Sequence, residues 1–172
     1  MSISRQNLSI IIVTYKSEMV IHDCIKSIEK DMKIIVVENS NNFQFKEELE
    51  QTYTNVTCVL TSKNLGMGAG NNIGIKKAKT DFVLILNPDV ILEASTINEL
   101  IIASKKIKNF AILAPISTDT NYPNYRVLNK EKPWEEDESL FKVKSVDGFA
   151  MLFNEKKLDK AITIDYFDEN FF

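Results

Sequence analysis

Histidine and cysteine are scarce in this chain: the only histidine is His22, and the two cysteines, Cys24 and Cys58, lie far apart without a Cys-x-x-Cys spacing. That set supports neither a zinc site nor a disulfide scaffold, so both thiols are expected as small core residues. An excess of one charge is also missing. With 21 basic residues against 24 acidic ones, the net charge is −3 and the isoelectric point is near 5.3. Such a chain has no electrostatic footprint for nucleic acid, and a negative ligand must be held locally. No apolar run approaches the roughly 18 residues of a membrane span, and the N-terminus lacks the order of basic, apolar and small residues that marks a secretory signal. The expected compartment is the cytoplasm, with peripheral docking on a membrane left open. Internal repeats and low-complexity tracts are absent, and there is no GK[ST] signature of a phosphate-binding P-loop.

What is present suits one folded unit. The chain has 172 residues, 44% of them hydrophobic and 26% charged, enough for a single domain with a sizeable core and too few for two. Its organising stretch is Phe82-Val83-Leu84-Ile85-Leu86, followed at once by Asn87-Pro88-Asp89-Val90. A short continuous apolar run reads as a strand covered on both faces, and Pro88, which has no N–H for a ladder, must end it. Asp89 then falls at the carboxyl end of a central strand, where open α/β sheets bind ligands. A carboxylate there either seats a divalent cation or only shapes the turn.

The rest of the chain alternates. Ser9 to Tyr15 reads as a strand, with a helix from Ser17 or Glu18 whose Val20, Ile21, Cys24, Ile25 and Ile28 form one apolar face. Lys33 to Glu38 is a second strand closed by Asn39-Ser40-Asn41-Asn42, and a weaker helix from Phe45 to Tyr53 leads to a third strand, Val56 to Leu60. After Asn64-Leu65-Gly66-Met67-Gly68-Ala69-Gly70-Asn71-Asn72 a helix is expected over Ala69 to Lys79. Another, capped by Ser95 or Thr96, precedes a fifth strand over Ala111 to Ala114. Alternation of this kind predicts a three-layer α/β/α domain with a mainly parallel sheet. From Pro115 the pattern becomes loop-rich, with Trp134 either edging a site or anchoring a surface cluster. Asp147-Gly148, between Val143–Val146 and Phe149–Phe153, reads as a two-residue hairpin turn.

The glycine segment is not GxGxxG and follows the third strand, so it does not mark a dinucleotide fold. Its glycines and asparagines at a helix start still permit close backbone approach to an anionic or sugar-bearing ligand, or else make only a flexible loop. Taken together, Val13-Thr14-Tyr15-Lys16, Val36-Val37-Glu38-Asn39-Ser40, Asn64-x-Gly66-x-x-x-Gly70-Asn71-Asn72-x-Gly74 and Leu86-Asn87-Pro88-Asp89 resemble the motifs of family 2 glycosyltransferases of GT-A fold. The asparagine-proline-aspartate variant is most similar to rhamnosyltransferase-like members. The resemblance runs from Leu8 onward; each motif alone is weak, and the ordered set at successive strand ends is specific.

The resemblance implies a nucleotide-diphospho-sugar transferase fold with a nucleotide-sugar-binding half over residues 8–115 and an incomplete acceptor-side half over 116–172. Thr14 and Tyr15 would line the base pocket and Glu38, where the family usually has aspartate, would contact the nucleoside. Asn64, Gly66 and Asn72 would form a wall near base, ribose or sugar. Asp89 would be the metal ligand for Mg2+ or Mn2+, with Asn87 in place of the motif's first carboxylate, so that solvent and diphosphate supply most of the coordination. Gly148 and Phe149 match the acceptor-side loop. The catalytic base is expected in an acidic motif beyond Phe172, with Asp147, Asp168 and Glu169 as weaker candidates. The implied activity is inverting transfer from a dTDP- or UDP-linked sugar, such as rhamnose, to a saccharide or lipid-linked saccharide acceptor in surface polysaccharide assembly. Two other readings stand beside it: a nucleotide-sugar-binding module without efficient transfer, and a sugar nucleotidyltransferase. Against the latter, the first strand is followed by Thr14-Tyr15-Lys16-Ser17-Glu18 instead of a glycine- and basic-rich loop.

Overall fold

The computed structural model describes residues 3–107, 109–119, 121, 123–127, 133–134, 137–156 and 167. In chain order the elements are β1 (Leu8–Thr14), α1 (Glu18–Lys26), β2 (Lys33–Glu38), α2 (Phe43–Thr52), β3 (Val56–Leu60), α3 (Gly66–Ala78), β4 (Phe82–Leu86) and α4 (Thr96–Lys106). They are followed by β5 (Ile112–Leu113), β6 (Tyr125–Val127), β7 (Pro133–Trp134), β8 (Asp137–Phe141), β9 (Val143–Val146) and β10 (Ala150–Asn154). The main sheet has the order β3-β2-β1-β4-β10-β5. Its first four strands are parallel, and β10 runs antiparallel to both β4 and β5. This is the predicted mainly parallel α/β architecture.

Side chains of period two divide the core into two layers. On one face Ile10, Ile12, Ile34, Val36, Leu84 and Leu86 pack with Ile21, Cys24 and Ile25 of α1, Phe45 and Leu49 of α2, and Ile97 and Leu100 of α4. On the other, Ile11, Ile35, Val37, Val83 and Ile85 pack with Ile75 and Ala78 of α3, together with Met151 and Phe153 of β10. Strand β4 is buried along its whole length because β1 and β10 flank it and helices cover both faces. Each such aliphatic side chain contributes about 1.5–3 kcal/mol by leaving water.

Two local expectations change. The predicted hairpin around Asp147-Gly148 does not form: β9 pairs with β6, and β10 enters the main sheet between β4 and β5. The reason is burial. Ala150, Met151, Leu152, Phe153 and Asn154 are all buried, a run better satisfied between two strands than on a two-stranded ribbon. The glycine segment, expected as a loop before a helix at Ala69, is already helical from Gly66. Asn64 Oδ1 accepts the Gly66 N–H at 2.9 Å, and Gly66 takes φ 82°, a value that favours glycine. Packing then outweighs the poor helix propensity of the glycines. A Cβ on Gly74 would stand 2.3 Å from Ile11 Cγ2, and one on Gly70 would stand 2.7 Å from Val13 Cγ1.

The exit of β2 is tied off by Glu38. Its side chain is fully buried; Oε1 accepts the Ser40 N–H at 2.9 Å and the Ser40 hydroxyl, while Oε2 accepts the Asn42 N–H at 2.6 Å. Asn42 in turn caps α2, its Oδ1 accepting the Phe45 N–H at 3.1 Å. One carboxylate thus organises the turn between β2 and α2 and fixes where that helix begins.

Gly74→Ala is expected to lower stability by about 1–3 kcal/mol, since the β-branched Ile11 gives way poorly; a melting temperature at or above that of the parent would overturn the overpacking argument. Glu38→Gln replaces one acceptor oxygen with an amide facing donors, and urea unfolding is expected to show a loss of about 1–3 kcal/mol. A change within about 0.5 kcal/mol would mean that the carboxylate does not organise the turn.

Candidate functional site

A cleft of about 510 Å³ opens at the carboxyl ends of β1, β2 and β4, beside the first turn of α3. Its lining includes Val13, Tyr15, Lys16, Asn39, Asn64, Gly66, Met67, Asn87 and Asp89. Five of the residues singled out from sequence, Tyr15, Asn64, Gly66, Asn87 and Asp89, therefore converge although they come from three separate strand exits. This is the position where a parallel α/β sheet leaves a crevice for ligands.

Thr14, Glu38 and Asn72 do not line it. Strand period explains the first two. Thr14 is buried on the face shared with α1 and α2, and its hydroxyl donates to the Val37 carbonyl at 3.4 Å. Glu38 is spent in the turn described above. Their neighbours Val13 and Asn39, one residue out of phase, face the cleft. Asn72 is buried and holds the backbone of Phe167: its Nδ2 donates to the Phe167 carbonyl at 2.9 Å, and its Oδ1 accepts the Phe167 N–H at 3.0 Å.

Asn39 is the residue that sequence reasoning passed over. Its backbone N–H donates to the Thr14 carbonyl at 2.8 Å, and its Nδ2 donates to the Gly66 carbonyl at 2.9 Å. Its Oδ1 lies 3.0 Å from the Thr61 hydroxyl. One buried asparagine, through its backbone N–H and its side-chain amide together, therefore joins the ends of β1, β2 and β3 to the start of α3, and sets the cleft wall. A signal was present: Asn39 stands next to Glu38 in the quoted motif, one position later in the strand's alternation.

The acidic turn is built just as locally. Val90 N–H donates back to the Asn87 carbonyl at 3.2 Å. The thiol of Cys24, in the helix behind, lies 3.6 Å from the same oxygen. Burial, with Asp89 nearby, pushes that thiol up to about 12, so it stays protonated at neutral pH and remains a weak donor. From the opposite side, the Asn87 N–H donates to the Phe149 carbonyl at 2.8 Å. The Gly148-Phe149 segment thus lies against the acidic turn. Asp147 N–H is held by the Asn124 carbonyl at 2.8 Å, and its side chain does not line the cleft. Asp168, Glu169 and the Trp134 side chain lie outside the described residues.

Lys16 and Asp89 are the charged residues lining the cleft among those described. Lys16 adopts a left-handed φ of 54°, and its ammonium stands 5.5 Å from the centre of the Tyr15 ring. Asp89 is exposed, and no cluster of three or more His, Cys, Asp or Glu residues that could cage a metal occurs among the described residues. The donor set fits a hard cation that takes one protein carboxylate and draws its other oxygens from phosphate and water, the usual habit of magnesium. No helix among the described residues is long and apolar enough to cross a membrane.

The sequence matches the family described as Glycosyl transferase family 2 over residues 9–162. It is 30% identical over 129 residues to the low-salt glycan biosynthesis hexosyltransferase Agl10 of Haloferax volcanii, a match covering 73% of this chain and 38% of that protein. Among solved structures, residues 1–349 of S. aureus TarS superpose with a TM-score of 0.68 at 19% identity, covering 95% of this chain and 51% of that one. The mannosyltransferase PcManGT of Pyrobaculum calidifontis, in complex with GDP-Man and Mn2+, superposes with a TM-score of 0.66 at 13% identity, covering 90% and 46%. The chain thus spans about half the length of these structures and less of the hexosyltransferase. Its fold is that of the GT-A glycosyltransferases, and with most of its length matched the chain belongs to glycosyl transferase family 2.

Proposed function

We propose that this chain forms the donor-binding portion of an inverting glycosyltransferase that takes a nucleoside diphosphate sugar. The observation that carries the reading is the convergence of Tyr15, Asn64, Gly66, Asn87 and Asp89 on one cleft, with the Phe149 backbone joined to Asn87 at its edge. In this reading Tyr15 and Val13 offer the base an apolar and aromatic wall. Lys16 draws the diphosphate by its charge, and Asp89 with Asn87 faces the phosphates at the end of β4. Support for the ligand class comes from TarS in complex with UDP-GlcNAc and from PcManGT in complex with GDP-Man.

The reaction is displacement at the anomeric carbon. An acceptor hydroxyl oxygen forms the new glycosidic bond, the bond from that carbon to the diphosphate oxygen breaks, and the hydroxyl proton passes to a carboxylate base. A Mg2+ or Mn2+ ion held at Asp89 would supply charge neutralisation for the leaving diphosphate. This chain's own residues position the donor and hold its phosphates. For the sugar we propose a deoxyhexose such as rhamnose on thymidine diphosphate, from the asparagine-proline-aspartate turn at Asn87 to Asp89, and for the acceptor a saccharide. A specific observation favours a second reading, donor binding without efficient transfer: among the described residues, Asp89 is the sole carboxylate lining the cleft.

Calorimetric titration with thymidine and uridine diphosphates, with and without Mn2+, tests the reading. Binding is expected to be metal-dependent, with Asp89→Ala abolishing the dependence; absence of binding for both nucleotides would place the function elsewhere. Lys16→Ala is expected to weaken diphosphate binding by about tenfold at low salt, with the gap closing as salt rises, because an exposed cation acts through a screened charge. Equal affinities for parent and variant at low salt would remove Lys16 from the phosphate site.

A further inference from the structure

Asn72 was expected on the donor wall, and the structure gives it another task. Its side-chain amide presents a donor and an acceptor side by side, and both are used on one residue 95 positions away: Nδ2 to the Phe167 carbonyl at 2.9 Å, and Oδ1 from the Phe167 N–H at 3.0 Å. The amide imitates a peptide group of a neighbouring strand. Asn72 itself is fully buried. The Phe167 ring completes the seat, 5.7 Å between centroids and tilted 57° from the ring of Phe153 on β10, within the core layer that includes α3.

The same helix serves the cleft. Gly66 and Met67 line it, and Asn72 follows within two turns, about 8 Å along the axis from Met67. Close contact of Gly70 and Gly74 with Val13 and Ile11 keeps α3 from sliding on β1. A rigid piece of helix therefore has a ligand-facing end and, farther along, a side chain that grips residue 167.

We propose that Asn72 is a positioning residue: it fixes the backbone at Phe167, on the acceptor-side half of the chain, at a set distance from the donor cleft. Occupancy of the cleft then steadies residue 167 through α3. The inference rests on the donor-binding reading above for its ligand, and on the paired hydrogen bonds for its mechanism. Asparagine is required because aspartate would set a carboxylate oxygen against the Phe167 carbonyl and alanine would leave both backbone groups without this partner.

The test is amide hydrogen exchange at Phe167, followed by NMR on the chain labelled at phenylalanine nitrogen, with and without UDP and Mn2+, beside calorimetry of UDP. In the parent the Phe167 amide is expected to exchange slowly, and more slowly still with nucleotide bound. Asn72→Ala and the similarly sized but apolar Asn72→Leu are expected to speed that exchange by about tenfold, the loss of roughly one hydrogen bond's protection, and to abolish the nucleotide effect while leaving the UDP affinity within about threefold. The leucine variant carries the test if the alanine variant does not fold. Unchanged exchange at Phe167 in a folded variant would overturn the proposal. So would a more than tenfold loss of UDP affinity with Phe167 exchange unaltered, which would return Asn72 to the donor wall. If UDP fails to bind the parent, the donor reading falls, and the ligand-free comparison of exchange still decides whether Asn72 holds Phe167.

Discussion

One wall of the cleft depends on how closely α3 lies on the sheet. At Gly70 and Gly74 the helix backbone comes so near β1 that a single added carbon would collide with Val13 or Ile11. Glycine costs a helix stability through its backbone freedom, and that cost is offset by the approach it permits. With α3 seated there, Asn39 can reach the Gly66 carbonyl, and the first turn of α3 becomes one wall of the cleft. A helix held a carbon's width farther out would lose both.

The opposite wall is set by the end of β4. Its five apolar residues are buried on both faces, and Pro88 stops the ladder. Turn geometry then places Asn87 between two parts of the molecule: its carbonyl faces Cys24 and Val90, and its N–H reaches Phe149. Because Asp89 follows in the same turn, the carboxylate is delivered to the cleft by a core strand and not by a long loop.

Polar groups carry the connections that packing alone leaves undefined. Asn39, Glu38 and Asn72 are all buried; Glu38 pairs with the backbone of the turn that follows it, while Asn39 and Asn72 pair with backbone groups far along the chain. Unsatisfied, each would cost stability; satisfied, each selects one arrangement of strand exits over others of similar apolar burial. These amides and the Glu38 carboxylate thus order the connections on a scaffold that apolar periodicity specifies.

Local order was legible from residues alone. The run Phe82–Leu86 announces its strand because continuous burial leaves an unbroken apolar signal, and Pro88 announces where it stops; Lys33–Glu38 and Val56–Leu60 are legible from their β-branched, apolar centres although each has an exposed position. The convergence of Tyr15, Asn64, Gly66, Asn87 and Asp89 was implied by the resemblance of the ordered motifs to a known family, and motifs at strand ends do meet at one edge of a parallel sheet. Tertiary structure alone decided the rest. Whether Thr14 or Val13, Glu38 or Asn39 faces the cleft turns on strand phase, and two adjacent positions differ only by which face of the sheet is open. That Val143–Val146 and Ala150–Asn154 part company, and that Asn72 grips Phe167 instead of lining the cleft, depends on partners 16 to 95 residues away. No local pattern encodes such partners, because burial between distant strands is a property of the assembled sheet.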